Sequence, residues 1–327
     1  LSGDHPQTVL AVARRAGLPP TARAISGAEL ETLSPDEFAT VVERTTVFGR
    51  VMPQQKQQII RALKERGHYV AMVGDGVNDI LALKEAQLGL AMQSGSPATR
   101  SIADMVLLED AFDALPAALR EGRRIVSSLH LLIKLFLIRD VATIELILTT
   151  GFIGAPFPLL PPHVTIIALL TVGIPALFLV LWAEPAPPEP DVLKPIIKFV
   201  VPVGSAMALA ILVVYVLTLL GLAADLEEAR TAAVTAAVLG GLVALIYLCH
   251  PWTAPLAALL GNRRLIALAG TMLIVYLGLL YVPTLADYLE LRAPTPTNWL
   301  VILLTVGTCL GGLRLAAHYR LVRRLLA

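Results

Sequence analysis

The sequence predicts two parts of different fold class: an α/β, Rossmann-like domain over residues 1–125, and an all-α bundle of six transmembrane helices over residues 126–327. Hydrophobic residues make up 56% of the chain and charged residues only 16%, yet the first part has the mixed composition of a soluble domain. From Leu129 onward, long apolar stretches recur between short polar breaks. A helix needs roughly 20 apolar residues to cross a bilayer, so these stretches predict membrane spans.

Local signals predict the elements of the first part. Gly17 is placed to end one helix, Ser34 to cap a second, and Pro53 to begin a third where its missing N–H costs no hydrogen bond. Residues 68–73 have the apolar pattern of a buried parallel strand. The predicted elements are helices over 8–16, 35–44 and from Pro53, and strands ending near residue 4 and spanning 46–50 and 68–73.

The run Gly-Asp-Gly-Val-Asn-Asp at 74–79 follows this strand at its carboxyl end, where open α/β sheets bind ligands. Its two glycines would let the backbone turn sharply and approach a phosphate. Asp75 and Asp79 offer the hard oxygen ligands that Mg²⁺ prefers beside water and phosphate oxygens. Asn78 adds a neutral hydrogen-bonding group. The run therefore predicts a magnesium site beside a phosphate, against the alternative of a polar turn between a strand and a helix.

Lys56 is predicted to lie in the first turn of the helix that begins at Pro53. Its ammonium and the free N–H groups of the helix N-terminus would face an anion at the strand ends. Together with Ser2 and Asp75 it would form a set of phosphate-directed groups from successive strand–helix units. The simpler alternative is a solvated lysine.

The second part contains six apolar segments, at 129–151, 162–182, 196–222, 229–248, 265–282 and 299–317. Because six is even, both ends of the bundle should lie on one side of the membrane. Alternate connections are rich in basic residues, which marks them as cytoplasmic. These residues are Arg120, Arg123, Arg124, Lys194, Lys198, Arg263, Arg264, Arg320, Arg323 and Arg324. The remaining connections contain Arg230 and Arg292 with five acidic residues. We therefore predict a multi-pass protein of the cell membrane whose first domain and C-terminus are cytoplasmic; a large buried helical core is the alternative.

Other features give little indication of partners. Cys249 and Cys309 fall in or beside apolar segments and are expected neither to pair nor to form a thiol metal site. The net charge of +1 gives no indication of nucleic-acid binding. No obligate protein partner is evident, which leaves the lipid bilayer as the expected surrounding of the second part.

The motifs resemble those of the P-type ATPases in residues, order and spacing, over essentially the whole chain. The matching segments are Ser2-Gly3-Asp4, Arg50-Val51-Met52-Pro53-x-x-Lys56, residues 74–79, Ala82-Leu83-Lys84 and Gly89-Leu90-Ala91-Met92. The resemblance implies a haloacid dehalogenase-like phosphorylation domain that uses ATP and Mg²⁺. The larger cation pumps of the family place six membrane helices after this domain, whereas heavy-metal pumps have two.

The resemblance also implies roles for individual residues. Asp75 would coordinate Mg²⁺ with support from Asp79 and Asn78. Lys56 and Ser2 would contact the transferred phosphoryl group, a role that suits a positioned lysine because the transition state spreads negative charge over its oxygens. Gly3 and Asp4, in the same loop as Ser2, would also belong to the catalytic site. Asp4 would orient the Ser2 loop or face the nucleotide.

One departure from the family pattern affects activity. The nucleophilic aspartate of the family's Asp-Lys-Thr-Gly run does not occur in the sequence. We therefore expect this chain to be the C-terminal part of a pump, inactive alone, with the nucleotide-binding and actuator domains and four membrane helices upstream of Leu1.

Charged residues in the first span are candidates for the transport site, because ionisable groups inside a membrane are costly. At 100° per residue, Asp140 and Thr143 share a helix face while Glu145 points about 140° away. Arg139 could neutralise Asp140, so a self-compensating pair is the alternative to a cation ligand.

The second span carries Thr171-Val172-Gly173-Ile174-Pro175, whose glycine and proline can free backbone carbonyls for a cation. A merely kinked helix is the alternative. Val172 stands where calcium and sodium pumps carry a transport carboxylate, and the surrounding run is similar to a bacterial, CtpE-like group of calcium transporters. We expect Asp140, Thr143, Thr171 and carbonyls near Ile174 to bind one cation, Ca²⁺ or another divalent ion.

Three alternatives from other classes stay open at this point. A membrane-anchored phosphatase of the haloacid dehalogenase type would use the same magnesium and lysine chemistry without a membrane carboxylate. In an ATP-independent carrier, the predicted magnesium and phosphate site at residues 74–79 would have no function. A pump of the same superfamily that moves a lipid or a monovalent ion would line a surface groove with polar residues or bind a different cation.

Overall fold

The computed structural model describes residues 1–187, 191–222, 224–248 and 261–318. It contains two compact units, Leu1–Ala118 and Leu119–Ala327. Four residues used in the sequence analysis lie outside the described residues, namely Cys249, Arg320, Arg323 and Arg324.

The first unit contains two small parallel sheets within its described residues. In one, β1 (Ala24–Ser26) pairs with β2 (Val47–Gly49). In the other, β4 (Leu88–Met92) lies between β3 (Ala71–Gly74) and β5 (Met105–Leu107). Strands that run parallel and alternate with helices confirm the α/β class, while a single Rossmann-like sheet stays a prediction.

Six α-helices precede or connect these strands, and four of them begin at a proline, whose fixed φ suits the first helical position. They are α1 (Pro6–Arg15), α2 (Gly27–Glu31), α3 (Pro35–Arg44), α4 (Pro53–Glu65), α5 (Ile80–Glu85) and α6 (Pro97–Ile102). Ser34 is the N-cap of α3, as predicted, and the Glu37 carboxylate accepts from the Ser34 N–H (3.0 Å) and from the Ser34 hydroxyl (2.7 Å), the return contact of a capping box. Short 3₁₀ turns cover Val77–Asp79, Leu108–Asp110 and Phe112–Ala114.

Several predicted boundaries shift in the structure, and the strand expected over 46–50 is shortened to Val47–Gly49. The strand expected over 68–73 begins at Ala71 and ends at Gly74. Residues 1–4, expected to end a strand, are not assigned to one. They nevertheless run beside β2, because the Ser2 N–H donates to the Phe48 carbonyl (2.9 Å) and the Ser2 carbonyl accepts from the Val51 N–H (3.2 Å). The first helix begins at Pro6, two residues before the predicted start.

The second unit is helical. Its described helices are α7 (Leu115–Ile153, which begins in the first unit), α8 (Pro161–Ala168), α9 (Ile174–Trp182), α10 (Leu193–Val216), α11 (Leu226–Tyr247), α12 (Arg263–Tyr281), α13 (Pro283–Tyr288) and α14 (Pro296–His318). A π-helical turn at Leu169–Gly173 joins α8 to α9, and a second at Leu217–Gly221 extends α10.

Within the described part of the chain, five helices are long and apolar enough to cross a membrane. They are Pro161–Trp182, Leu193–Gly221, Leu226–Tyr247, Arg263–Tyr281 and Pro296–Leu315. The first predicted span falls in α7, which is not among the five. Its apolar stretch is interrupted by Lys134, Arg139, Asp140 and Glu145.

Helix α11 forms the centre of the second unit and packs against α10, α12 and α14. Its buried positions are mostly small, including Ala229, Ala232, Ala233 and Gly240. Small residues let membrane helices approach closely where the hydrophobic effect supplies no force between them. The composition of α11 therefore explains its central place.

Candidate functional site

The first candidate site centres on an ion pair between α4 and the turn after β3. The Lys56 Nζ lies 2.7 Å from the Asp79 Oδ1, and the two side chains are only 12% and 10% exposed. Lys56 reaches this position because α4 begins at Pro53 and places it in the first turn. The structure thus brings together two residues that the sequence analysis assigned to phosphate and to magnesium.

Gly74 at the end of β3 permits the close approach of Asp79. A Cβ at position 74 would lie 2.6 Å from the Asp79 Cβ and 3.0 Å from its Oδ2. Gly76 has a different environment. Its backbone is extended (φ −105°), a conformation that any residue adopts, and the nearest non-neighbouring atom to an added Cβ would be 3.9 Å away. Packing therefore requires the first glycine, whereas the second borders open space.

Asp75 and Asn78 lie on the exposed side of the same turn. The Asp75 carbonyl accepts from the Ser96 N–H (2.8 Å), and the buried Thr99 hydroxyl donates to the Gly76 carbonyl (3.0 Å). These bonds fix the backbone of the turn to α6. Among the described residues, the Asp75 carboxylate has no hydrogen bond or ion pair, so its oxygens are available to a ligand.

The Ser2-Gly3-Asp4 segment forms a small turn of its own. The Asp4 N–H donates to the Ser2 Oγ (3.1 Å), whose hydroxyl contacts the Asp4 carboxylate at 3.4 Å. The backbone hydrogen bonds of Ser2 with Phe48 and Val51 place this turn beside the segment that joins β2 to α4.

The donor set at this edge fits Mg²⁺. Mg²⁺ takes one or two carboxylates and fills its remaining positions with water and phosphate oxygens. Asp75 supplies a free carboxylate at the end of β3, and Asp79 keeps one oxygen beyond the one bonded to Lys56. The described residues contain no group of three or more histidine, cysteine or acidic side chains that could hold a metal without such outside ligands.

The second candidate site lies on α7, where Arg139 and Asp140 form a pair. The Asp140 Oδ1 accepts from the Arg139 Nη2 (2.8 Å) and Nε (3.2 Å). The guanidinium also lies 5.7 Å from the centre of the Phe136 ring. The self-compensating pair considered from the sequence is therefore present, and Asp140 has a counter-charge within its own helix.

The neighbouring polar residues of α7 have separate partners. The Thr143 hydroxyl donates to the Arg139 carbonyl (2.8 Å), a bond within the helix. The Glu145 Oε1 accepts from the Ser205 hydroxyl of α10 at 2.5 Å. Ser205 was missed by the sequence analysis, because a serine in an apolar segment gives no signal until a neighbouring helix brings a carboxylate to it.

In the second predicted span, the glycine and proline produce a π-helical turn without ending the helix. The Ile174 N–H donates to the Leu169 carbonyl, five residues earlier, and Pro175 has no N–H to continue the pattern. The Thr171 hydroxyl donates to the Ile167 carbonyl (2.7 Å). Among the described residues, no hydrogen bond or ion pair joins Asp140 or Thr143 to Thr171 or Ile174.

Two glycines that the sequence analysis did not single out determine how these helices pack. A Cβ at Gly241 of α11 would lie 2.7 Å from the Thr171 Cγ2, and one at Gly204 of α10 would lie 2.7 Å from the Val141 Cγ1. Each glycine therefore brings a neighbouring helix against one of the candidate spans.

Comparisons with protein families divide the chain in the same way as its composition. Models for haloacid dehalogenase-like hydrolases match residues 1–87 and 56–119. A model described as the C-terminus of cation transporting ATPases matches residues 156–315. The first region contains the Lys56–Asp79 pair and the second contains both π-helical turns.

Several curated proteins are similar to the chain. The calcium-transporting ATPase CtpE of Mycolicibacterium smegmatis is 34% identical over 325 residues, which cover 95% of this chain and 39% of that protein. The protein of the same name from Mycobacterium tuberculosis is 39% identical over 265 residues, 77% of this chain and 33% of that protein. A calcium-transporting ATPase of Bacillus subtilis is 30% identical over 93% of this chain and 35% of its own length. The chain thus spans about a third of the length of these relatives.

Proposed function

Since the chain belongs to the cation-transporting P-type ATPases, we propose that it is part of an ATP-driven pump that moves a cation, Ca²⁺ or another divalent ion, across a membrane. The observation that carries the proposal is the buried Lys56–Asp79 pair beside the free carboxylate of Asp75, in a chain that continues into apolar helices. The relatives' names, which specify calcium, support the choice of ion.

In this proposal, Asp79 orients the Lys56 ammonium towards the transferred phosphoryl group. A lysine held in place by an ion pair needs no rearrangement when negative charge develops on the phosphoryl oxygens. Ser2 donates a hydrogen bond to the same group, and Asp4 orients the Ser2 turn through the contacts described above. The Gly3 N–H lies in that turn.

Asp75 would hold Mg²⁺, with Asp79 and Asn78 in support. When bound, Mg²⁺ supplies positive charge that favours phosphoryl transfer. Gly76 leaves open space beside Asp75, where a phosphate could approach the backbone. The nucleophilic aspartate and the nucleotide site would come from parts of the protein beyond this chain.

We also propose that residues 129–151 of α7 form a sixth span. Its buried positions Leu135, Ile138, Ala142 and Leu146 recur every three or four residues and belong to the core of the second unit. Its charged groups each have a partner within the protein, because Arg139 bonds Asp140, Ser205 bonds Glu145, and the Lys134 ammonium lies 5.6 Å from the centre of the Phe199 ring. Six spans would place the first domain and the C-terminus on the same, cytoplasmic side, in agreement with the charge bias of the connections.

The proposed cation site lies along Asp140, Thr143, Thr171 and the carbonyls near Ile174. Pro175 lacks an N–H, so a carbonyl one turn earlier in the helix loses its usual donor and can serve a cation. Binding would require Asp140 to turn away from Arg139. Phosphorylation could drive this change by moving the cytoplasmic end of α7, residues 115–124, as a stalk.

The test is ATP hydrolysis by the full-length protein in liposomes with Ca²⁺, Mn²⁺, Na⁺ or K⁺ added in the presence of Mg²⁺. We expect one divalent ion to stimulate hydrolysis, and Asp75→Asn to abolish it. Asp36→Asn, an exposed acid on α3, is the matched control and should keep full activity. Hydrolysis that ignores every ion would point to a lipid substrate, and hydrolysis that survives in Asp75→Asn would point to a different catalytic site.

The same assay tests the membrane site. We expect Asp140→Asn to weaken the apparent affinity for the stimulating ion. An unchanged affinity in Asp140→Asn would remove this residue from the proposed site while leaving the assignment of Asp75 intact.

A further inference from the structure

An open cleft of about 400 Å³ lies at one end of the helical unit, where the first turns of α11 and α14 meet. Its lining includes Asp225, Glu228, Thr295, Thr297 and Asn298. Every one of these side chains carries an oxygen that can bind a metal. None of them belongs to the sites proposed above.

The two carboxylates of the cleft have no hydrogen-bond or ion-pair partner among the described residues. Asp225 stands at the N-cap of α11, where an aspartate usually accepts a backbone N–H, yet its side chain makes no such bond. Glu228 lies three residues later, on the same face of the helix one turn further along. Both carboxylates therefore border the cleft with their oxygens unused.

Asn298 provides an independent indication of a ligand. The residue is only 2% exposed and lines the cleft. Its backbone N–H donates to the Thr295 hydroxyl (3.2 Å), but its side-chain amide has no hydrogen bond within the described part of the chain. The Asn298 amide atoms keep some contact with solvent, and the residue lines the cleft, so a ligand that enters the cleft can bond this amide.

The charge balance of the cleft favours a cation. The two helix N-termini each contribute about half a positive charge, whereas the two carboxylates contribute two full negative charges. Arg292 is bonded to Glu227 at 2.6 Å and is not free to neutralise them. Arg230 lies roughly 200° around α11 from Glu228, on the other side of the helix. The lining thus stays negative.

We propose that this cleft binds a divalent cation of the hard, oxygen-preferring class, with Ca²⁺ as the test ion. Ca²⁺ accepts six to eight oxygens in flexible geometry, so carboxylate, amide and hydroxyl oxygens from two helices can be completed by water in an open cleft. The proposal rests on these residues alone and does not require pump activity. In the proposed topology the cleft opens on the non-cytoplasmic side, where it would hold ions at one end of the transport path.

The experiment is calorimetric titration of the purified full-length protein with Ca²⁺, in the presence of Mg²⁺ to fill the proposed Asp75 site and in an Asp140→Asn background that weakens the proposed transport site. We expect saturable binding that the double variant Asp225→Asn/Glu228→Gln weakens by at least about tenfold, since carboxylate charge sets Ca²⁺ affinity. The matched control is Asp287→Asn, an exposed acid on α13, which should leave the affinity unchanged.

A gain-of-function variant guards against loss of folding. Asn298→Asp adds a third carboxylate to the cleft and should tighten Ca²⁺ binding by about tenfold. The proposal is overturned if the Asp140→Asn protein binds no Ca²⁺, if the double variant binds as tightly as its parent, or if Asp287→Asn weakens binding equally. None of these results depends on ATP hydrolysis, so they separate this cleft from the pump proposal.

Discussion

The charged groups of the proposed catalytic edge, formed by Lys56, Asp75 and Asp79 beside β3, differ from those of the helical unit in whether they have a protein partner. Beside β3, one carboxylate is buried against Lys56 while Asp75 stays exposed without a protein partner among the described residues. On α7, Asp140 and Glu145 are each bonded to a protein donor. Water can solvate an unused carboxylate at the surface of a soluble domain, whereas a bilayer cannot, so polar groups there find partners within the protein.

The two regions therefore need different changes before they can bind a ligand. The proposed catalytic edge is arranged in advance, because Lys56 is held by Asp79 while the Asp75 carboxylate is exposed without a protein partner among the described residues. The membrane region has to exchange existing bonds for a cation. Variants that break one of these arrangements should therefore have different consequences in the two regions.

The largest effect is expected at the ion pair of the catalytic edge. Lys56→Ala leaves the Asp79 carboxylate buried without a counter-charge, which should lower the free energy of unfolding by about 3 kcal/mol. In the full-length protein, ATP hydrolysis should fall by at least about a hundredfold. Thermal unfolding and a hydrolysis assay measure the two effects. Lys84→Ala, at an exposed position on α5, is the control. Equal unfolding temperatures for the two variants would show that the pair does not stabilise the unit.

The two glycines of the catalytic turn should separate packing from ligand approach. Gly74→Ala places a methyl group 2.6 Å from the Asp79 Cβ and should destabilise the protein by about 2 kcal/mol. Gly76→Ala meets no atom within 3.9 Å and should leave the unfolding temperature unchanged. We expect it nevertheless to slow ATP hydrolysis, because its methyl group occupies the space proposed for phosphate. Full activity in Gly76→Ala would remove that space from the site.

A smaller loss of stability is expected when a methyl group is added between two helices of the membrane region. Gly241→Ala brings a methyl group to 2.7 Å from the Thr171 Cγ2 and should lower stability in detergent by about 1–2 kcal/mol. Adding Thr171→Ser removes that methyl and should restore part of the loss. Gly270→Ala on α12, where an added Cβ meets no atom within 4 Å, is the control. If the double variant unfolds at the same temperature as Gly241→Ala, the Thr171 Cγ2 is not the atom whose clash destabilises the packing.

The smallest effect concerns a surface cluster of the first unit. Hydrogen bonds from Arg61, then Gln57 and Lys64, lower the pKa of Glu85 from 4.5 to about 2. Because the folded pKa lies below the unfolded one, the ionised carboxylate stabilises the fold above pH 4.5, and this contribution is lost as the pH falls towards about 2. Arg61 is 56% exposed, so we expect only about 1 kcal/mol.

Unfolding measured from about pH 5 to about pH 3 should therefore show a shallower acid dependence in Glu85→Gln than in the parent protein. Glu65→Gln, at an exposed position on α4, should keep the parent's dependence. Identical acid profiles for Glu85→Gln and the parent would show that these bonds do not stabilise the folded state.

Much of the architecture could be predicted because it depends on local patterns. The apolar segment before residues 74–79 predicted a strand, and the structure places β3 there with its carboxyl end at Gly74. The apolar lengths predicted membrane helices, and five of the six segments are confirmed as long, apolar helices. The first segment is not among the five because four charged residues interrupt it. A count of apolar residues alone does not decide whether such a segment crosses the membrane.

Residue type and spacing by themselves determined the α/β class of the first part, the strand-end location of Asp75 and Asp79, and the apolar helices, since each depends on neighbours within one or two turns. Only the tertiary structure decided that Asp79 pairs with Lys56 across 23 positions, that Ser205 bonds Glu145 across 60, and that Asn298 borders the same cleft as Asp225. These contacts join separate elements whose relative placement depends on how whole helices and sheets pack, and no local pattern specifies that packing.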